Sequence, residues 1–223
     1  VRTVLLDLDG TLVDSAPLIT EHLAAAIATA GAPVLTPAQL RGLVGPPFET
    51  ALPELGLTPA QTLDTIAAYR VSYGAVAATH TTPYPGTPEL LGDLRAAGLR
   101  LAVATSKPED LAVRIVEGIG IAGHFTLVAG ADQATGRVGK ANVVASALER
   151  LALDPRRDPV VMVGDRHHDV DGAGAHGVPT IGAAWGYAEP GELAGAATVV
   201  ATLDALRMVL TGDPIWSGAA QAV

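Results

Sequence analysis

The chain contains no cysteine, which excludes disulfides, thiolate nucleophiles and thiolate-bound metals. Lysine is almost missing as well: of 14 basic residues only Lys107 and Lys140 are lysines. Arginine carries the remaining positive charge, so each lysine calls for a reason beyond solubility. An ammonium is a compact point charge that the arginine fork does not replace at a crowded anion site. No apolar stretch is long enough to span a bilayer. The apolar run Val4-Leu5-Leu6 begins almost at the first residue, so no secretory signal is expected ahead of it. Basic excess is also lacking. A net charge of −9 argues against a nucleic-acid or anionic-membrane surface. These absences suit a cytoplasmic protein.

What is present is enough apolar sequence, 49% of 223 residues, for one domain or a core with an insert. Thr3 to Leu8 reads as a short buried strand ending at Asp7-Leu8-Asp9-Gly10. Ser15 and Pro17 open a helix that Gly31-Ala32-Pro33 stops. The pattern then stays helical to about His80, and Thr82 to Gly86 is a rigid break. Beyond it helices and strands alternate. Strands are expected at 100–104, 125–129, 159–163 and 178–181, and helices after Pro88, after Pro108, over 141–151 and over 165–173. Such alternation predicts a parallel sheet wrapped by helices, and the first strand must join it to pair its edges. The helical block is then an insert beside the carboxyl end of that strand, where open α/β sheets bind ligands.

Four constellations fall near strand ends. Asp7-Leu8-Asp9-Gly10-Thr11 reads either as a plain Asp-Gly turn or as a nucleophilic carboxylate with a proton-transfer carboxylate two residues on. Thr105-Ser106-Lys107 supplies a helix cap, or a hydroxyl and free N–H groups for an anion. Lys140 opens a helix after Gly136-Arg137-Val138-Gly139, as a solvated lysine or as an anion's counter-charge. Asp165 and Asp169, in Gly164-Asp165-Arg166-His167-His168-Asp169, are four apart and expected on one helical face. Gly172-Ala173-Gly174-Ala175-His176-Gly177 satisfies a dinucleotide pattern, but it lacks the strand before and the helix after.

The order of these groups resembles the haloacid dehalogenase superfamily of phosphohydrolases over nearly the whole chain. Asp7 to Ser15 is a full first motif. Val44 to Pro47, Tyr84-Pro85-Gly86, Ala104 to Pro108, Gly164-Asp165-Arg166 and Trp185-Gly186-Tyr187 are similar to its phosphoglycolate-phosphatase-like branch. At the third motif many relatives have Lys-Pro, whereas this chain has Lys140-Ala141, and Arg137 is the competing cation.

The resemblance implies an α/β fold, a Rossmann-like parallel-sheet core with a helical cap inserted after the first strand. The core is expected over 1–14 and 84–213, the cap over 15–83, and a tail over 214–223. It further implies a Mg²⁺-dependent phosphatase acting through an aspartyl-phosphate on Asp7, with Asp9 as acid and base. Mg²⁺ would sit on Asp7, Asp9 (through its carbonyl) and Asp165. Thr105, Ser106, Lys140 and the N–H groups of Leu8 and Gly10 would hold the phosphoryl oxygens, with Asp169 supporting. Arg41, Phe48 and Arg70 are the cap residues expected to touch the substrate, a small phosphorylated metabolite such as a phosphoglycolate-like, nucleotide or sugar phosphate. The protein is expected as a monomer or homodimer. A dehalogenase needs no acid at position 9, and a phosphonate hydrolase needs a cap lysine that residues 15–83 lack. A phosphosugar mutase and a non-catalytic phosphate-binding protein remain as alternatives.

Overall fold

The computed structural model describes residues 1–212 and 214–217. Its frame is a six-stranded sheet in the order β5-β4-β1-β6-β7-β8, formed by β1 (Thr3–Leu6), β4 (Arg100–Pro108), β5 (Leu127–Ala131), β6 (Val160–Gly164), β7 (Thr180–Ala183) and β8 (Thr198–Val200). Every pairing in it is parallel. Central β1 has all four side chains buried, as a strand covered on both faces must. The helices α5 (Thr87–Ala96), α6 (Glu109–Gly118), α7 (Lys140–Arg150) and α8 (His167–Gly174) lie in the crossovers, and α9 (Leu203–Thr211) follows the last strand.

Four helices form the insert: α1 (Ala16–Thr29), α2 (Pro37–Gly42), α3 (Phe48–Glu54) and α4 (Pro59–His80). Capping boxes start two of them, Thr36 with Gln39 and Thr58 with Gln61, each followed by proline. The chain enters and leaves the insert through an antiparallel ribbon of β2 (Val13–Asp14) and β3 (Thr82–Pro83). The expected architecture of parallel-sheet core and helical cap is therefore present.

Several local expectations need correction. The stretch at 82–83 is a strand as well as a break, because it pairs with Val13 and Asp14. Strands β5 and β7 each start two residues later than expected, and β8 with α9 completes the sheet edge. Helix α8 begins at His167, so Asp165 lies at the strand end and does not share a helical face with Asp169. The expected tail is also part of the core at its start. Helix α10 (Pro214–Ser217) buries Trp216, whose Nε1 donates to the Leu210 carbonyl at 2.9 Å. Residues 218–223 of that tail lie outside the described residues.

Candidate active site

Three neighbouring strands, β4, β1 and β6, deliver Thr105, Asp7 and Asp165 to one edge of the sheet. The delivery at β4 uses a bulge. Its register against β5 shifts between Ala104 and Pro108, which takes Thr105 to Lys107 out of the ladder. Gly130 opposite makes this possible, since a Cβ there would stand 2.7 Å from the Lys107 carbonyl oxygen. Thr105 Oγ1 accepts from the Lys107 N–H at 3.3 Å, and Pro108 rather than Thr105 occupies the helix cap position.

Lys140 enters from the start of α7. Its Nζ lies 2.8 Å from Asp7 Oδ1 and 2.7 Å from Asp169 Oδ1, and it donates to the Ala104 carbonyl at 3.0 Å. Asp169 is itself anchored, its Oδ2 accepting from the Arg166 N–H at 3.0 Å. Burial acts to lower the Lys140 pKa, but Asp169 and Asp7 outweigh it and hold the ammonium above its usual range. Gly172 gives this lysine its room: a Cβ there would come within 2.7 Å of Lys140 Cγ. The glycine-rich run at 172–177 thus serves close packing at its first residue.

Asp165 is fully buried between the first motif and the loop after β7. Its Oδ1 accepts from the Thr11 hydroxyl at 3.0 Å and its Oδ2 from the Tyr187 N–H at 2.8 Å. Gly10, at φ +80°, and Gly186 both lie so close that a Cβ on either would overlap Asp165. Carboxylate oxygens of Asp7, Asp165 and Asp169 lie within 4.8 Å of one another. Burial, reinforced by neighbouring carboxylates, raises Asp7 to about 6 against the pull of Lys140, and Asp165 to about 8. Three buried carboxylates with a single ammonium are short of positive charge. Their hard oxygens suit a cation such as Mg²⁺.

Asp9 faces the cap. Its Oδ2 forms a 3.0 Å ion pair with Lys107, which also donates to the Tyr73 hydroxyl at 3.0 Å and lies 4.8 Å from that ring's centre. Asp9 Oδ1 has no hydrogen-bond partner among the described residues. Three of the contacts between cap and core border these groups. Tyr73 meets Lys107, Glu49 accepts from Gln133 at 2.9 Å, and Arg166 donates to the Val44 carbonyl at 2.6 Å. Glu192 clamps Arg166 at 2.7 Å and His167 at 2.7 Å. Burial opposes ionisation of Glu192, yet the hydrogen bonds from Arg166, Glu189 and His167 hold it down at about 2.

Beneath the cap is a cavity of about 470 Å³, and Asp7, Asp9, Thr105, Ser106, Lys140, Phe48 and Arg70 all line it. Two expected site residues, and the competing cation Arg137, behave otherwise. Arg41 is exposed on α2 and does not line the cavity, because Leu40 beside it is the residue that packs inward. Gly10 donates its N–H to the Val13 carbonyl at 2.9 Å, so that donor is engaged in the turn. The Leu8 and Asp9 N–H groups carry no hydrogen bond among the described residues, which moves the second expected donor from Gly10 to Asp9. Arg137 lies outside the cavity lining. It donates to the Gly130 carbonyl at 2.7 Å and to Ser146 at 3.3 Å, and pairs with Glu109 at 2.8 Å. Lys107, Tyr69, Tyr73, Arg166 and Glu192 were not among the expected site residues; for Lys107 the scarcity of lysine was the available signal.

The family model for haloacid dehalogenase-like hydrolases matches residues 4–183. A protein of Mycobacterium tuberculosis named tyrosine-protein kinase PtkA is 44% identical over 213 residues, covering 94% of this chain and 72% of that protein. The phosphoglycolate phosphatase of Chromobacterium violaceum is 33% identical over 207 residues, covering 89% of this chain and 92% of its own. Among solved structures, a predicted phosphatase from Clostridium acetobutylicum superimposes with a TM-score of 0.86 at 32% identity, covering 94% of this chain and 97% of its own. With the family model matched from the first strand to the seventh, this chain belongs to the haloacid dehalogenase-like hydrolases.

Proposed function

We propose that the protein is a Mg²⁺-dependent phosphatase that hydrolyses a small phosphate monoester through a phosphorylated Asp7. The observation that carries this reading is the convergence of Asp7, Lys140, Asp169 and Asp165 at one sheet edge, with Asp9 facing them across an open cavity. Relatives named phosphoglycolate phosphatase support a phosphoric monoester hydrolase of that branch.

In this reading Asp7, held by Lys140, attacks phosphorus in line with the departing oxygen. Asp9 serves that oxygen. Its Oδ2 is held by Lys107, so Oδ1, free of partners among the described residues, is the atom left to carry the proton. The same atom then takes a proton from the water that cleaves the acyl phosphate. Thr105, Lys140 and the Leu8 and Asp9 N–H groups face the equatorial oxygens, where charge builds in the transition state. Asp7 and Asp165, with the Asp9 carbonyl, would hold Mg²⁺, which supplies neutralisation of phosphoryl charge. Asp169 positions Lys140. Closure of the cap over a bound substrate would keep bulk water out.

Replacing Asp7 by Asn should abolish hydrolysis of 4-nitrophenyl phosphate with the fold intact. Residual turnover above about one percent of wild type would defeat the covalent reading. The 44% identity to a protein named tyrosine-protein kinase favours a second reading, in which the phosphoryl group passes to a hydroxyl other than water. Two incubations separate them: inorganic phosphate released from 4-nitrophenyl phosphate marks the hydrolase, and label passed from γ-labelled ATP to an added phenolic acceptor marks the transferase.

A further inference from the structure

The cavity has two properties that bear on what leaves with the substrate oxygen. The first is its wall. Phe48 meets Tyr69 edge-on at 4.9 Å between centroids, and Tyr69 stacks on Tyr73 at 5.0 Å with planes 10° apart. One of the two phenylalanines and two of the four tyrosines therefore stand together on the cap side of a single cavity. Leu43, Val44 and Leu111 continue that surface. At about 470 Å³ the space lies within the roughly 300–1,000 Å³ typical of small-molecule sites.

The second property is charge. Every lysine and arginine that lines the cavity already faces a carboxylate. Lys140 holds Asp7 and Asp169, Lys107 holds Asp9 at 3.0 Å, and Arg166 holds Glu192 at 2.7 Å. At the rim Arg70 pairs with Glu49 at 3.0 Å and Arg114 with Asp110 at 3.6 Å. The rim pairs are half exposed and therefore weak, but the three deeper ones are buried. A second anionic group held deep in the cavity would have to separate one of those buried pairs and strand its carboxylate, whereas one reaching the rim would displace only a weak pair of Arg70 or Arg114. An uncharged leaving group disturbs none of them.

We propose, as a refinement resting on the phosphatase reading, that the cavity selects phosphate monoesters with a flat, apolar, uncharged leaving group, namely aryl phosphates. A carboxylate-bearing monoester such as phosphoglycolate is the disfavoured class. A nucleoside monophosphate shares the flat ring, but its base carries polar edges that need partners along a wall that is mainly aromatic and aliphatic.

The test uses the wild-type protein with Mg²⁺ and three phosphonates that cannot turn over, so leaving-group reactivity plays no part. Calorimetric titration with benzylphosphonate, phosphonoacetate and an adenosine 5′-phosphonate should rank the first at least about tenfold tighter than the others. Phe48→Ala should weaken benzylphosphonate by about fivefold and phosphonoacetate by less than about twofold, with the folding-safe Phe48→Leu in between. Equal or tighter binding of phosphonoacetate or of the nucleoside phosphonate overturns the proposal, as does no binding of benzylphosphonate. A parallel assay follows phosphate release from phenyl phosphate, phosphoglycolate and adenosine 5′-monophosphate. If none is hydrolysed while the benzylphosphonate preference holds, the phosphatase reading falls and the ligand class of the cavity stands.

Discussion

Lys107 and Asp9 form a buried ion pair of 3.0 Å that Tyr73 closes from the cap, so one core lysine touches both the proton-transfer carboxylate and the insert. Lys107 lies in the stretch of β4 that the bulge takes out of the ladder. Tyr73 reaches it from α4, 34 residues away in sequence. Removing the ammonium while keeping the stem, in Lys107→Met, should lower kcat by about 10- to 100-fold and displace the pH profile of kcat. Tyr73→Phe keeps the ring and loses one hydrogen bond, and should lower kcat by less than about fivefold. Equal losses in the two variants would show that the ring matters and the charge does not.

Lys140 and Arg137 are three residues apart and have different jobs. Lys140→Ala removes the only ammonium between Asp7 and Asp169, and kcat should fall by about 10²- to 10³-fold. Arg137→Ala should change kcat by less than about tenfold and lower the melting temperature instead. It releases the Gly130 carbonyl and the Glu109 carboxylate that this guanidinium holds. The opposite ranking of the two kcat values would reassign the phosphate-facing cation to Arg137.

Helical glycines with room for a methyl usually gain stability on becoming alanine, and buried Gly172 should reverse that sign. A methyl there would press on the Lys140 stem and the Ala141 nitrogen, so Gly172→Ala should cost about 1–3 kcal/mol in urea denaturation. Gly174 on the same helix has nothing within 4 Å of an added Cβ, and Gly174→Ala should be neutral or stabilising. Two stabilising substitutions would mean that Lys140 has other room.

Glu192 provides a pH signature. Its folded value, about 2, lies below the ordinary 4.5, so its contribution is present above pH 4.5 and is lost as pH falls towards 2. Glu192→Gln should therefore be less stable than wild type at pH 7, with the gap in urea midpoint shrinking between pH 4.5 and 2. A gap that stays constant over that range would show that charge on Glu192 is not what holds Arg166 and His167.

Chelation should abolish hydrolysis and Mg²⁺ should restore it. The same addition should raise the melting temperature of the chelated protein, because a cation that binds only the folded state stabilises it by mass action. Asp165→Asn should need a higher Mg²⁺ concentration for both effects. Rescue by Zn²⁺ alone would speak against an all-oxygen site.

The sequence made the strand ends legible because each is a contiguous signal: an apolar run followed within two residues by Asp7, Thr105 or Asp165. Lys140 was legible for a different reason, the rarity of its residue type. What stayed hidden depends on contacts between distant segments. Tyr69 and Tyr73 sit in a helix whose buried face also carries Thr62, Thr65 and Ala77, so no clean apolar period marks it. Sequence alone does not place Arg41, because a one-residue step around α2 decides whether it meets the cavity or solvent. Asp165 and Asp169 do converge, yet through a strand end and a helix first turn, a geometry that fourfold spacing alone does not distinguish from a shared helical face. The β2–β3 ribbon is two residues per strand and includes Pro83, too short for any alternation to register.

The two lysines have a practical meaning for anyone who labels this protein. Both are buried, at 8% and 6% exposure, and both are paired within the candidate site. Its outer surface consequently offers no lysine ε-amine to acylating dyes, amine-coupled supports or lysine cross-linkers. Modification that does reach a lysine side chain must pass through the cavity, and a ligand occupying that cavity should block it. Since paired carboxylates hold both lysines in the ammonium form, amine reagents should mark the α-amine and spare the two side chains.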